Sequence, residues 1–395
     1  MRQLCLCFEF HCPVVLRRYR FFEINNSHYY YDDQQTAELT EKLVRQKFLP
    51  LVDLLATLSL KYAQRFRFGV STSGITLKLL QHYQPYFLNI WKELGKLGGM
   101  EFLADTFSHT LVPFFHPESL PQQLELHKNL VEEIFGEPPR IFYQHFPFVS
   151  GNAEATAKRL SPGGIIAARR FAGNGRSGKE RNDNSAGLDK KLAVVDQPLS
   201  HKLLKIHQKE HASNGVVQAR HFLTCLEGAA NPAAPRILFF NPVAVDGAFS
   251  NRREVFWEEL IRSWLAREEC RLVTPSEMFS GSPGEEAPEV SASSNGSPGM
   301  KNFWFQNHLQ QEALGELLKI DRMMPDPDSR MAGEDWYFIQ DMDHLFFMNS
   351  RFFSPLFAGK YFNPYNSPYE AFINYMNILE DYSGKLEKGK PEFDG

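Results

Sequence analysis

The sequence is poor in cysteine and has no long apolar run. The odd number of cysteines, two of them close together on a predicted strand, argues against a disulfide framework and favours a reduced, cytoplasmic protein. No window approaches the roughly 20 apolar residues of a membrane helix. The apolar start of the chain is broken by Glu9 and His11, without a small-residue cleavage site, so we predict no signal peptide. The five cysteines are Cys5, Cys7, Cys12, Cys225 and Cys270.

The chain also lacks a basic excess. Its net charge is −4, which argues against a nucleic-acid partner. The apolar content of 43% and charged content of 23% are typical of a folded globular protein. With 395 residues, the chain is long enough for one large α/β barrel and an accessory domain. Aromatic residues make up 13%, which suits a large core and also the stacking of sugar rings.

The spacing of residues in the sequence matches neither a metal-binding motif nor a nucleotide-binding motif. Cys5, Cys7, His11 and Cys12 lie close together, but no second cluster with metal-ligand spacing follows them. We therefore expect no metal and no other cofactor. The Gly-rich stretch at 172–187 lacks the spacing of either nucleotide-binding fingerprint and is predicted to be a surface loop.

Predicted strands and helices alternate along most of the chain, beginning with a run at 4–10 that is apolar except for Glu9. Such a run is typical of a strand buried on both faces, and Pro13 should stop it, leaving His11 at its carboxyl end. Ligands of parallel α/β folds bind at that end of the strands. Further strands are predicted at 66–71, 100–107, 140–146, 164–168, 192–195, 216–220, 236–240 and 272–274. Helices are predicted at 36–60, broken at Pro50, and at 76–97, 120–135, 152–159, 200–210 and 253–268.

The composition changes after residue 279. Residues 280–300 are rich in Ser, Gly, Pro and Glu and are predicted to be a flexible linker. Helices are predicted after it at 307–318, 335–353 and 367–386. The pattern indicates an α/β barrel over 1–279 and a C-terminal helical domain over 301–395.

Four segments carry a resemblance to a known family. They are FEFHCP and its continuation at 8–33, EFLADTFSHTL at 101–111, TPSEMF at 274–279, and MDHLFFM at 342–348 with the aromatic block at 361–379. Together they resemble glycoside hydrolase family 57, in its amylase-like branch. The resemblance implies an incomplete, seven-stranded β/α barrel with a helical domain that closes over the cleft. It also implies retaining chemistry on α-glucans, which needs a nucleophile and an acid/base carboxyl pair.

The chain departs from the family at both catalytic positions. The resemblance places the nucleophile at Phe146 and the acid/base at Asn241. A phenyl ring cannot attack an anomeric carbon, and an amide has no titratable proton to give. Shifting either strand by one or two residues brings no carboxylate into place, so the catalytic pair is predicted to be absent.

The resemblance also implies residues that bind sugar. His11 and His109 match positions at the −1 subsite, and Asp105 stands where the family has a Glu. Asp343 matches a cleft-facing Asp of the helical domain, and Trp304 is a candidate aromatic platform. The alternatives are histidines that cap strand ends inside the core, a solvated or capping Asp343 and a Trp304 that only packs.

Three functions remain open at this point. The favoured one is a glucan-binding or regulatory protein of α-glucan metabolism, with a maltooligosaccharide and glycogen-metabolising enzymes as partners. The second is an active hydrolase or transferase that uses other carboxylates. The third is an interaction protein whose cleft is closed by Phe146. Carboxylates available to the second function include Glu9, Asp105, Asp196 and Asp246.

Overall fold

Parallel strands follow one another along the chain with helices between them. The computed structural model describes residues 2–145, 156, 159–161, 163–168, 192–208, 214–228, 235–245, 247–280, 306–324, 333–353 and 362–388. The strands are β1 (Arg2–Phe10), β2 (Phe68–Thr72), β3 (Met100–Ala104), β4 (Ile141–Gln144), β5 (Gly164–Ala167), β6 (Leu192–Val194), β7 (Arg236–Phe240) and β8 (Cys270–Leu272).

The described helices cover the outside of this sheet and most of the C-terminal part. Between the strands lie α1 (Asp33–Leu43), α2 (Leu49–Tyr62), α3 (Gly74–Tyr83), α4 (Pro85–Lys96), α5 (Val112–Phe115), α6 (Leu120–Phe135), α7 (Gln197–Gln208), α8 (Gly215–Glu227) and α9 (Asn251–Leu265). After β8 come α10 (Pro275–Phe279), α11 (His308–Met323), α12 (Gly333–Ile339), α13 (Asp343–Phe346) and α14 (Pro368–Lys388).

Seven of the strands form a nearly closed barrel, which confirms the predicted fold class. They run in the order β6-β5-β4-β3-β2-β1-β7, and all described pairings are parallel. The ends of this path approach each other, because the backbone N–H of Asp196 donates to the carbonyl of Ile237 over 2.9 Å. The eighth strand, β8, pairs with β1 from Arg2 to Leu4.

The barrel interior and its outer face use alternate residues of each strand, as strand geometry requires. On β1, Cys5 and Cys7 join a small interior cluster that includes Leu103 and Ile237. Leu4, Leu6, Phe8 and Phe10 face the helices and join the main core. The ring of Phe8 packs edge-on against Trp257 of α9, with centroids 5.2 Å apart. Both faces of β1 are therefore buried, as the apolar run at 4–10 predicts.

One predicted strand, 216–220, is wrong, because these residues lie in α8. The two β-branched residues Val216 and Val217 favoured a strand. However, the side chain of Asn214 caps the helix by accepting from the backbone N–H of Val216 over 3.0 Å. Apolar side chains recur at helical spacing after it, with Ala219 and Phe222 both buried. The cap and the packing of this face outweigh the local β propensity.

Two predicted helices are broken differently from expectation. The break in 36–60 is a π-helical turn at Val44–Phe48, whereas Pro50 lies in the first turn of α2, where its missing N–H costs nothing. The region 76–97 forms two helices, because Pro85 starts α4 directly after Gln84.

The C-terminal helices pack on each other and on the segment that follows β1. Trp336 of α12 stacks on Tyr382 of α14 at 5.6 Å, and the Tyr31 hydroxyl donates to Asp335 over 2.9 Å. The predicted helix 335–353 is instead α12, α13 and a 3₁₀ turn at Ser350–Phe353. This break follows from the turn at 340–342, where the Met342 N–H leaves the helix to donate to the carbonyl of His109 over 3.1 Å.

Several predictions fall where the structure gives no description. The linker at 280–300, apart from its first residue, and the loop at 172–187 lie outside the described residues, as does most of the helix at 152–159. The division into two domains stays a prediction.

All five cysteines carry free thiols. Within the described ranges, no helix combines the length and the apolar character needed to cross a membrane.

Candidate functional site

The interior of the barrel changes from apolar to polar at the carboxyl ends of the strands. On β1, the interior positions run from Cys5 and Cys7 to Glu9, which lies beside His145. On β3, Leu103 is followed at the same spacing by Asp105, and both are buried. The strand ends therefore bring polar side chains together above an apolar floor, which includes the stacked rings of Tyr143 and Phe239 at 4.0 Å.

His145 and Asp105 form the first contact of this rim. Nε2 of His145 lies 2.7 Å from Oδ2 of Asp105, and its Nδ1 lies 3.7 Å from Glu9. Asp105 is held in turn, since its Oδ1 accepts from the backbone N–H of Thr106 over 2.7 Å. Burial alone would lower the pKa of His145. The neighbouring carboxylates of Asp105 and, to a smaller extent, Glu9 have the larger effect, so the pKa is raised. The imidazolium form is thus stabilised by its carboxylate neighbours.

His11 pairs with Asp343 of α13 across the rim. Its Nε2 lies 3.1 Å from Oδ2 of Asp343, and its Nδ1 lies 3.4 Å from the Thr76 hydroxyl. Burial disfavours the charged imidazolium and by itself would lower the pKa of His11. The carboxylates of Asp343, Asp341 and Glu9 together have the larger effect and raise this pKa to about 9. The pair joins the end of β1 to the C-terminal part of the chain.

His109 lies between the other two histidines in an unusual backbone conformation. Its φ of +49° is in the left-handed region that non-glycine residues rarely adopt. Its ring packs on that of His11, with centroids 3.8 Å apart, and lies edge-on to that of His145 at 5.2 Å. Burial, with His11 and His145 as charged neighbours, holds its pKa well below the usual value. Both of its ring nitrogens are buried without a hydrogen-bond partner in the described structure.

Asp341 completes the group from the C-terminal side. It is fully buried, and its Oδ1 lies 3.6 Å from Nδ1 of His109. The same carboxylate accepts from the backbone N–H of Asp343 over 3.1 Å, whereas its Oδ2 has no partner among the described residues. Burial and the nearby Asp343 raise the pKa of Asp341 to about 8. Two carboxylates and two imidazoles thus share one small volume.

The structure brings four of the predicted sugar-binding residues together. His11 contacts Asp343 and His109, and His109 connects through His145 to Asp105. Their role in binding sugar stays a prediction. Two other predicted positions, Trp304 and Phe146, lie outside the described residues, as does Asp246. Asp196 is paired with Arg236 over 2.5 Å.

Asn241 follows β7 and has a local structural role. Its Oδ1 accepts from the backbone N–H of Val243 over 2.8 Å, which caps the short 3₁₀ turn Pro242–Ala244. The side chain is therefore held at the strand end, at the position where the resemblance places the acid/base.

Two residues of the group, His145 and Asp341, were not predicted, and Glu9 was considered only as a possible carboxylate. Two of them could have been predicted, because every second residue of a strand points to the same side. Glu9 therefore shares the interior side with Cys5 and Cys7, and His145 shares it with Ile141 and Tyr143. No comparable pattern marks Asp341, which the fold brings to β1 from the C-terminal part of the chain.

Comparison with known proteins identifies similar sequences and structures. Residues 5–155 match the model of Glycosyl hydrolase family 57. Over these residues, the chain resembles glycosyl hydrolase family 57. A candidate alpha-amylase of Methanocaldococcus jannaschii is 21% identical over 441 aligned positions, covering 98% of this chain and 86% of that protein.

Solved structures of the family share the fold. A GH57-type branching enzyme from Pyrococcus horikoshii superposes with a TM-score of 0.57 at 12% identity, covering 87% of this chain and 85% of that one. An alpha-amylase from Thermotoga maritima gives a TM-score of 0.54 at 12% identity, covering 98% and 96%. At these identities, the family 57 likeness establishes the architecture, and the chemistry must be argued from the residues.

Proposed function

We propose that this family 57-like protein acts in α-glucan metabolism by binding an α-glucan at the carboxyl ends of its strands, without cleaving it by the two-carboxylate route. The relatives named above for amylase and branching activity support the ligand class. The location of the polar rim supports the place of binding, because ligands of β/α barrels bind at this face.

The observation that carries the proposal is the amide at Asn241. The retaining mechanism needs a group at this position that gives a proton to the leaving oxygen and later takes one from water. Asn241 has no such proton, and its oxygen is engaged with Val243. The position where the resemblance places the nucleophile holds Phe146, so the second carboxylate is missing as well.

Binding groups remain on the rim although the catalytic pair is absent. Glu9 and His145 are partly exposed at the strand ends, and carboxylate and imidazole groups can both hydrogen-bond to sugar hydroxyls. Asp105 fixes the ring of His145. As a finer part of the proposal, the bound glucan would bring the protein to glycogen-metabolising enzymes.

Calorimetric titration with maltoheptaose tests the proposal. The wild-type protein, kept in EDTA, should give saturable heat and release no shorter glucans. A Glu9→Ala, His145→Ala double variant should lose the heat, whereas His201→Ala, on the exposed face of α7, should keep it. Circular dichroism shows whether each variant is folded.

Two results would contradict the proposal in different ways. Steady release of shorter glucans that stops in Glu9→Gln or Asp105→Asn would make the protein an active enzyme with other carboxylates. No heat at millimolar sugar from folded wild-type protein, with or without EDTA, would favour an interaction protein that binds no glucan.

A further inference from the structure

We propose that His11, His109, Asp341 and Asp343 bind one divalent transition-metal ion of the zinc class. One ligand atom from each residue lies within 4.8 Å of the others. Nε2 of His11 is 3.1 Å from Asp343, and Nδ1 of His109 is 3.6 Å from Asp341. A tetrahedral metal about 2.1 Å from each ligand places the ligands about 3.4 Å apart. These four residues, hereafter the His/Asp cluster, therefore have suitable spacing.

The unpartnered atoms of the cluster indicate that a ligand belongs there. Both ring nitrogens of His109 and Oδ2 of Asp341 have no hydrogen-bond partner in the part of the chain that the structure describes. His109 is only 5% exposed and Asp341 0%, and buried polar atoms are normally satisfied. A single cation would satisfy an imidazole nitrogen and a carboxylate oxygen together.

The chemistry of the donors selects the class of metal. Two imidazole nitrogens and two carboxylate oxygens suit Zn²⁺ and related ions, whereas Mg²⁺ and Ca²⁺ prefer oxygen ligands alone. Histidine ligands usually have their second nitrogen hydrogen-bonded, and the Thr76 hydroxyl lies 3.4 Å from Nδ1 of His11. The backbone N–H of Asp343 donates to Asp341 over 3.1 Å and so orients that carboxylate.

The left-handed backbone of His109 fits the same role. A non-glycine residue at φ +49° is strained unless its surroundings fix it, and such residues concentrate at ligand-binding positions. Here the conformation accompanies a ring that packs on His11 and approaches Asp341. The Glu9, His109 and His145 group also has metal-compatible spacing, but it offers three ligand residues where the His/Asp cluster offers four, the number that a structural zinc site needs.

Such an ion would cross-link two distant parts of the chain. His11 and His109 follow β1 and β3, whereas Asp341 and Asp343 belong to the C-terminal part. Because only the folded chain presents all four ligands, the metal should raise the melting temperature by mass action. The inference does not depend on the proposed glucan binding.

The test uses the full chain, stripped with EDTA, dialysed and titrated with ZnCl₂ in the absence of sugar. We expect one equivalent bound per chain by calorimetry, a higher melting temperature, and the visible absorption of tetrahedral Co²⁺ when cobalt replaces zinc. His109→Gln and Asp341→Asn should each weaken binding at least about 100-fold. Asp321→Asn is the matched control, because it changes another buried His–Asp pair, with His116 at 2.8 Å, and should leave Zn²⁺ binding unchanged.

Either of two outcomes would overturn the site. One is wild-type protein that gives no saturable heat and no tetrahedral Co²⁺ spectrum. The other is binding that survives unchanged in both His109→Gln and Asp341→Asn. If one of these variants fails to fold by circular dichroism, Asp343→Asn replaces it, and the Co²⁺ spectrum of the wild type still decides. Because no maltoheptaose is present, a negative result here leaves the glucan test standing on its own.

Discussion

Tyr30 and Asp381 meet in the interior through a hydrogen bond of 2.7 Å from the tyrosine hydroxyl to the carboxylate. The carboxylate of Asp381 is fully buried. It also accepts from the backbone N–H of Asn25 over 2.5 Å and contacts Nδ1 of His28 at 2.8 Å. One side chain of α14 thus fixes the segment that follows β1.

We expect Asp381→Asn to destabilise the protein by about 1–3 kcal/mol, because the amide leaves buried donors without a charged acceptor. Urea unfolding at pH 7 measures this change. Glu380→Gln, at the neighbouring exposed position, is the control and should change stability by less than about 0.5 kcal/mol. Equal effects of the two substitutions would show that the Asp381 contacts contribute little.

His207 should make the protein sensitive to acid. Burial, with Arg253 and Arg252 nearby, lowers the pKa of His207 to about 3, and its ring stacks on Trp257 at 5.6 Å. In the unfolded chain a histidine has a pKa of about 6.5. Between these values the unfolded state binds the proton more tightly, so stability should fall as pH falls below about 6.5, by up to about 1.4 kcal/mol per pH unit.

Urea unfolding at pH 7 and pH 5 checks this expectation. His207→Leu should lose less stability between the two pH values than the wild type does, by about 2 kcal/mol. His221→Leu, exposed on α8, should keep the wild-type pH dependence. An unchanged pH dependence in His207→Leu would assign the acid sensitivity to other groups.

Gly74 should not tolerate a side chain. A Cβ at this first residue of α3 would clash with the ring of Phe107. The backbone of Phe107 is held in place, because its carbonyl accepts from the N–H of Ile75 over 2.9 Å. Gly74→Ala should cost about 1–3 kcal/mol through overpacking. In contrast, Gly315→Ala on the exposed face of α11 meets no atom within 4 Å and should stabilise by about 0.5–1 kcal/mol. Thermal unfolding should show a lower melting temperature for Gly74→Ala and a higher one for Gly315→Ala than for the wild type.

Glucan cleavage should appear only when both carboxylates are introduced together. Asn241→Asp keeps an oxygen that can accept from the Val243 N–H, so it should fold normally. It should remain inactive, because the nucleophile position of the resemblance still holds Phe146. Phe146→Glu alone should also be inactive, whereas the double variant should show trace release of shorter maltooligosaccharides from maltoheptaose, since the two roles depend on each other. Turnover by either single variant would show that another carboxylate already supplies the missing role.

The barrel could be predicted from sequence because its strands have strong local patterns. The run Leu4–Phe10 is apolar on both faces except for Glu9, and 237–240 is apolar throughout. Val216 and Val217 misled the prediction, because their β propensity is local while the packing of α8 is tertiary. The helix break at 44–48 contains no Gly or Pro that could have predicted it. The break was instead predicted at Pro50, which lies in the first turn of a helix, where proline is tolerated.

The candidate site was predictable in part for a similar reason. His11 and Asp105 stand at the ends of visible strands, so the topology of a parallel barrel brings them to one rim. The family resemblance indicated His109 and Asp343, but not their contacts. Asp341 escaped prediction because its burial against His109 depends on how the C-terminal helices dock, which no short-range pattern encodes.

The His/Asp cluster joins distant parts of the chain, since His11 and Asp343 are 332 positions apart in the sequence. During synthesis, the barrel strands leave the ribosome long before the residues that meet them, and domains generally fold as they emerge. The cluster can therefore form only after residues 341–343 have left the ribosome. A chain interrupted before residue 341 would carry the histidines without their carboxylates, so the assembled cluster distinguishes chains that extend past residue 343 from shorter ones.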